Sequence, residues 1–204
     1  MAGRRLVTAG VLAVVALALV ATPAGAAGAT WEESGDAAGI PATAQPATGS
    51  GALARITGRI THFNDDDMFR LCLTGGGTFS ASVVPRAISP TFLDPQLFLF
   101  DHRGRGVYAN DDRGLTDDVT GLHPLLPAGH PLTPTAPGVY YLAISAFANN
   151  PVSPRGPIFE QLGSTEVNGP FGPGGTRPII DWNDFGFGPT FSRYAIRLTG
   201  ARYC

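Results

Sequence analysis

The chain has no lysine, only two cysteines, and charged residues at just 15% of its 204 positions. All 14 basic residues are Arg, a bias that reads as coding preference rather than chemistry, and they form no basic run. With a net charge of -2, the chain lacks the electrostatic footprint of a nucleic-acid binder. Long apolar runs are missing too. The longest, Leu6 to Val20, falls short of the roughly 20 residues that a membrane-spanning helix needs. No apolar tail follows Tyr203-Cys204 and no cysteine sits near a leader cleavage site, so no membrane or lipid anchor is expected. Gly and Pro, 27 and 18 residues, are too abundant for a helical bundle.

Catalytic signatures are equally sparse. His62, His102, His123 and His130 are scattered and lack the HExxH spacing of a helical zinc site. There is no Gly-x-Ser-x-Gly elbow and no Gly-rich phosphate loop after a strand. A carboxylate pair for glycoside hydrolysis can be chosen from the many Asp, but sequence does not measure their separation. The histidines are expected at surfaces and turns, and no catalytic role is expected.

What is present begins with a leader. Arg4 and Arg5 precede the apolar run, and Ala24-Gly25-Ala26 and Ala27-Gly28-Ala29 follow it, the three-part pattern of a secretory signal peptide cleaved between Ala26 and Ala29. Removing residues 1–29 leaves 12 basic and 16 acidic groups, a mature charge of -4. The expected product is secreted, extracellular and soluble. Residues 30–53 are rich in Ala, Gly, Pro, Thr and Ser with little apolar periodicity, and read as a disordered linker from which only Trp31 docks back.

From residue 54 to 204 the signal is that of one all-β domain. Short segments rich in Ile, Val, Phe, Tyr and Thr alternate with Gly, Pro, Asn and Asp, giving strands over 55–62, 67–74, 78–84, 96–101, 106–109, 138–146 and 191–200. Phe69, Leu71 and Leu73 alternate with Met68, Arg70 and Cys72, and Tyr194, Ile196 and Leu198 with Arg193, Ala195 and Arg197, the period of a strand with one buried face. Leu97-Phe98-Leu99-Phe100 is apolar on both faces and needs covering twice. About seven such strands without crossover helices imply a mostly antiparallel β-sandwich.

Four segments carry a resemblance. Asp65-Asp66-Asp67-Met68-Phe69-Arg70-Leu71, then Asp94 to Asp101 with Gly104, then Pro137 to Ile144, then Tyr194 to Thr199 are similar, in order, to core strands of the bacterial pre-peptidase C-terminal domain family. The resemblance spans residues 55–200. It implies a jelly-roll-like sandwich, related in shape to collagen-binding modules of secreted collagenases and usually attached to exported proteins as a noncatalytic module. This chain departs from that pattern in having no preceding peptidase domain and a long insertion before the closing strand.

An even cysteine count in an exported protein argues for a disulfide, and Cys72 with Cys204 is the one intramolecular choice. Acidic residues gather in turns, at Asn64 to Asp67, at Asp101, at Asn110 to Asp112, and at Asp117 and Asp118. Oxygen ligands of this kind suit calcium, and Asp65, Asp67, Asp101, Asp111 and Asp112 are the candidate ligands. The competing reading is that Asp and Asn populate turns because they bond the local backbone. Residues 147–190 form a long loop with 8 Gly, 7 Pro and six large aromatics, Phe147, Phe159, Phe171, Trp182, Phe185 and Phe187. These rings either cover the outer face of Leu97 to Phe100 or, at Trp182, Phe185 and Phe187 between Asp181 and Asp184, form an exposed platform for a sugar or peptide. The functional expectation is a secreted noncatalytic binding module for an extracellular polymer or protein. The alternatives are a structural or cell-surface scaffold and, third, a secreted hydrolase.

Overall fold

The computed structural model describes residues 28–83, 94–114, 122–160, 165–186 and 192–204. Most of the expected leader, together with Asp117, Asp118 and Phe187, lies outside these residues. The described chain is all-β, a sandwich of two large sheets with a third small one against it. The first sheet runs, in spatial order, β1 (Ala29–Glu32), β3 (Leu53–Ile60), β13 (Ser192–Thr199), β5 (Ser80–Val83) and β8 (Leu125–Leu126). The second runs β14 (Ala201–Arg202), β4 (Asp66–Leu73), β9 (Gly138–Ala146), β6 (Pro95–Asp101) and β7 (Gly106–Asn110), with β2 (Gln45–Pro46) also paired to β4. The small sheet orders β11 (Gly156–Pro157), β10 (Pro151–Ser153) and β12 (Asp181–Trp182). No helix among the described residues is long and apolar enough to cross a membrane.

All seven expected strands form, and alternation explains which way they face. Ile56 and Ile60 on β3 and Tyr194, Ile196 and Leu198 on β13 point inward against Phe69, Leu71, Leu73, Leu97, Leu99, Leu142 and Ile144 of the second sheet. The longest ladder, β4 to β9, pairs Asp66 with Ser145 at one end and Leu73 with Gly138 at the other. The expectation that β4 buries a single face is incomplete, because Met68 is fully buried on the opposite side. There Met68, Phe98, Phe100 and Ala143 meet Ile158, Phe159, Ile179 and Trp182, forming a second core. Burying a large apolar side chain is worth about 1.5–3 kcal/mol, so covering Phe98 and Phe100 offsets part of the cost of ordering the segment above them.

The expectation of a disordered linker is corrected. Residues 30–53 are part of the fold: β1 lies parallel to β3, β2 parallel to β4, and Ala37 and Ala47 are buried. Trp31 packs edge-on against Phe69 with ring centroids 5.6 Å apart. A segment poor in apolar residues cannot build its own core, but its backbone can satisfy the open edges of sheets that already exist. The described part of 147–190, expected as a long loop, contains three short strands. Its glycines allow backbone contact that no side chain would permit; a Cβ on Gly175 would lie 1.7 Å from the Pro170 carbonyl oxygen.

The disulfide joins Cys72 to Cys204 with Cα atoms 5.1 Å apart, across 132 residues of sequence. It ties the C-terminus to β4 just beyond β14, where Arg202 pairs with Cys72. In the chain-entropy account, closing so long a loop stabilises by roughly 4–5 kcal/mol, with measured effects often smaller. The Cys72→Ser/Cys204→Ser variant is expected to lose about 2–5 kcal/mol in urea unfolding. An unchanged urea midpoint would show that the bond constrains nothing.

Candidate functional site

The acidic turns resolve into two separate groups. In the first, Asp67 begins the inward face of β4 and is completely buried. The Tyr194 hydroxyl donates to its Oδ2 at 2.7 Å, and Glu33 is the other side chain beside it. Glu33, from the segment after β1, accepts hydrogen bonds from the backbone N–H groups of Ala37 (2.9 Å) and Arg59 (2.8 Å). Carboxylate oxygens of Glu33, Asp36 and Asp67 lie within 4.8 Å of one another. Burial first, then the charges of Glu33 and Asp65, push the Asp67 carboxyl up to about 10. Gly58 makes the arrangement possible, since a Cβ there would lie 2.2 Å from the Tyr194 hydroxyl and 2.4 Å from Glu33. Asp65 instead closes a turn, its Oδ2 accepting from the backbone N–H of Thr61 and from the Thr61 hydroxyl. Glu33 and Asp36 were hidden in the presumed linker; their only sequence signal was acidity beside Trp31.

The second group is Asp94, Asp111 and Asp112, whose carboxylate oxygens also lie within 4.8 Å of one another. Burial, then the charges of Asp112 and Asp94, raises Asp111 to about 7, partly offset by the neighbouring Gln96 amide. Burial and the Asp112 charge raise Asp94 to about 6. Asp101 does not join them. Its Oδ1 accepts from the backbone N–H groups of Arg103 (2.8 Å) and Arg105 (3.0 Å), closing the β6–β7 turn at the far end of that hairpin. For Asp65 and Asp101 the turn-capping reading is therefore the one the geometry supports.

The aromatic platform is also corrected. Trp182 is 5% exposed, its indole N–H donates to the Gly39 carbonyl at 2.8 Å, and its ring stands edge-on to Phe98 at 5.3 Å. It is a plug in the second core, because Phe98 presents a face that only a large ring fills. Phe185 is exposed, alongside Phe171 in the same region, and Phe187 lies outside the described residues.

The open concavity lies elsewhere, on the outer face of the first sheet. Glu32, Glu33 and Gly35 wall one side of a groove of about 410 Å³ floored by Arg55, Thr57, Arg59, Arg193 and Ala195. The β3–β13 register sets Arg55 opposite Arg197 and Arg59 opposite Arg193, with Thr57 and Ala195 between. None of the four guanidinium groups has an ion pair or hydrogen bond among the described residues. Like charges directly opposite on a sheet face are destabilising, and an anion between them removes that cost.

The buried acids set a pH dependence with a definite sign. Asp66 (about 7, raised mainly by burial), Asp67, Asp94 and Asp111 hold protons when folded that the unfolded chain, at 3.8, has released. Native protein then binds more protons than unfolded, so stability falls as pH rises from about 4 toward 10. In EDTA the thermal midpoint is expected to drop by several degrees from pH 5 to pH 8, with Asp67→Asn flattening the slope above pH 7. A flat or rising midpoint would show that these carboxyls ionise normally. Neither a family model nor a curated protein matches the sequence.

Proposed function

We propose that this is a secreted noncatalytic binding module that takes an acidic extracellular polymer along the outer face of β1, β3 and β13. The observation that carries this reading is the groove of unpaired arginines. Arg55 and Arg59 are four residues apart on one strand, about 13 Å at strand rise, a spacing suited to repeated anionic groups on an extended chain. Guanidinium groups recognise carboxylates and sulfates through paired hydrogen bonds, and the short side chains between them leave room for the polymer backbone. Export is supported by the leader pattern and by the Cys72–Cys204 bond, which persists in oxidising surroundings. The resemblance of the four strand segments to pre-peptidase C-terminal modules supports a noncatalytic role.

Calcium fits the first acidic group in this reading. A hard cation among Glu33, Asp36 and Asp67 would neutralise the buried carboxylate and fasten the segment after β1 to β4. A second reading, a durable scaffold that binds no polymer, is favoured by the disulfide staple alone.

The test is retention on beads carrying a carboxylated or sulfated polysaccharide, with neutral cellulose and chitin as controls. Retention on the anionic beads is expected, weakening with salt and falling at least tenfold in Arg59→Ser/Arg193→Ser. Equal retention on neutral beads, or an unaffected double variant, would remove the groove from the function. No retention on any bead would favour the scaffold.

A further inference from the structure

We infer that Asp94, Gln96, Asp111 and Asp112 form a calcium site of their own, built into the open end of the β6–β7 hairpin and sharing no ligand with Glu33, Asp36 and Asp67. It does not rest on the function proposed above.

The three carboxylates converge within 4.8 Å. What marks the place as a site is the state of its buried polar atoms. Asp111 is 1% exposed, and among the described residues its oxygens have the Gln96 amide beside them but no donor in full hydrogen-bond geometry. Gln96 is fully buried, and among the described residues its amide oxygen has no donor and its amide nitrogen no acceptor in full hydrogen-bond geometry. Asp94 Oδ1 and Asp112 Oδ1 are enclosed without partners as well. Buried polar groups are nearly always paired, because an unpaired one loses its hydration and gains nothing in return. Here several orphaned atoms gather around one point, and all but the Gln96 nitrogen are hard oxygens.

The backbone explains why they meet. Leu97 pairs with Asn110, and continuing that register by one residue sets Gln96 beside Asp111. Asp94, two residues before Gln96, falls on the same face. The Asn110 side chain then fixes the following loop: its Nδ2 donates to the carbonyls of Asp112 (2.8 Å) and Glu166 (3.1 Å), and its Oδ1 accepts from Leu125 N–H (2.8 Å). Asn110 thus acts as a positioning residue, holding Asp112 in place before any ion arrives.

The donor set selects the ion. Three carboxylates and an amide oxygen, without His or Cys, suit a hard cation. Calcium accepts six to eight oxygens in irregular geometry, whereas magnesium keeps several waters that so enclosed a set of atoms would exclude. Gln96 and Asp66 lie in one row across β6, β9 and β4 through Ser145. At roughly 4.8 Å between neighbouring strands, Gln96 stands about 10 Å across the sheet from the Asp66–Asp67 end of β4.

The experiment is calcium titration calorimetry on the metal-stripped mature protein at pH 7.5, with thermal midpoints in calcium and in EDTA. Asp111→Asn is expected to remove one bound calcium per chain and to shrink the calcium-induced rise in midpoint. In EDTA its midpoint should equal or exceed that of the parent, because the amide carries no charge to bury. Asp94→Asn, at a partly exposed position, should weaken the same site at least tenfold and serves if Asp111→Asn does not fold. Unchanged stoichiometry and midpoint rise in both variants would overturn the inference. So would an Asp111→Asn protein equally destabilised with and without calcium, the mark of a purely structural carboxylate. Asp67→Asn separates the two readings: calcium binding that depends on Asp111 but not on Asp67 removes the cation from the first group and leaves this site standing, and the reverse result does the opposite.

Discussion

Phe98 and Phe100 alternate with Leu97 and Leu99 along β6, so the second sheet carries large apolar side chains on both faces and neither face can be left to water. The first sheet covers one. The other demands a cover of its own, and the described residues between Ile158 and Trp182 supply it, with Phe159 and Trp182 set against Phe98. This constraint accounts for the third small sheet and for the glycines that let its backbone wind closely. It also accounts for the indole bond to Gly39, which fastens the cover to the N-terminal segment.

The same constraint separates the polar chemistry of the molecule into distinct places. Polar groups on the inward-facing strands survive only where strands begin or end, so Asp67 sits at the start of β4 and Gln96 and Asp111 at the mouth of the β6–β7 hairpin. Asp67 and Asp111 are held at the rim of a core rather than in free solvent, which raises their carboxyl pKa values. The arginines lie on the outer face of the first sheet, partly exposed or exposed among the described residues. Acidic rims and a basic outer face give the sandwich separated electrostatic surfaces despite a net charge close to zero.

The strands were legible because a period of two is a local property: Tyr194, Ile196 and Leu198 announce their face without reference to any other segment. The disulfide was legible because two cysteines leave a single pairing. The ordered segment from Ala29 to Pro46 was not, since its order comes from backbone pairing to edges whose position depends on the whole fold. Nor could sequence distinguish a buried Trp182 from an exposed one, because an aromatic between two aspartates looks the same in either setting and its partner Gly39 is 143 residues away. Asp101 and Asp111 were grouped by closeness along the chain, yet a hairpin sends such neighbours to opposite ends. Asp94 and Gln96 went unread as ligands for the complementary reason, that a ladder register brings them to Asp111.

The outer edge of β4 is shared by two short strands, β2 beside Phe69 and Arg70 and β14 beside Cys72 and Leu73. Ala52 bridges to Arg202 and also accepts the Ala29 N–H, so residue 28 and residue 204 leave the sandwich at the same pole. A pull between those two points is not carried evenly. Force entering at Cys204 passes through sulfur directly into β4, while force entering at residue 28 meets first the hydrogen bonds of β1 along the edge of β3 and the packing of Trp31 on Phe69. The two ends are therefore fastened differently: the C-terminal one by a covalent bond, the N-terminal one by an edge strand and its side-chain packing.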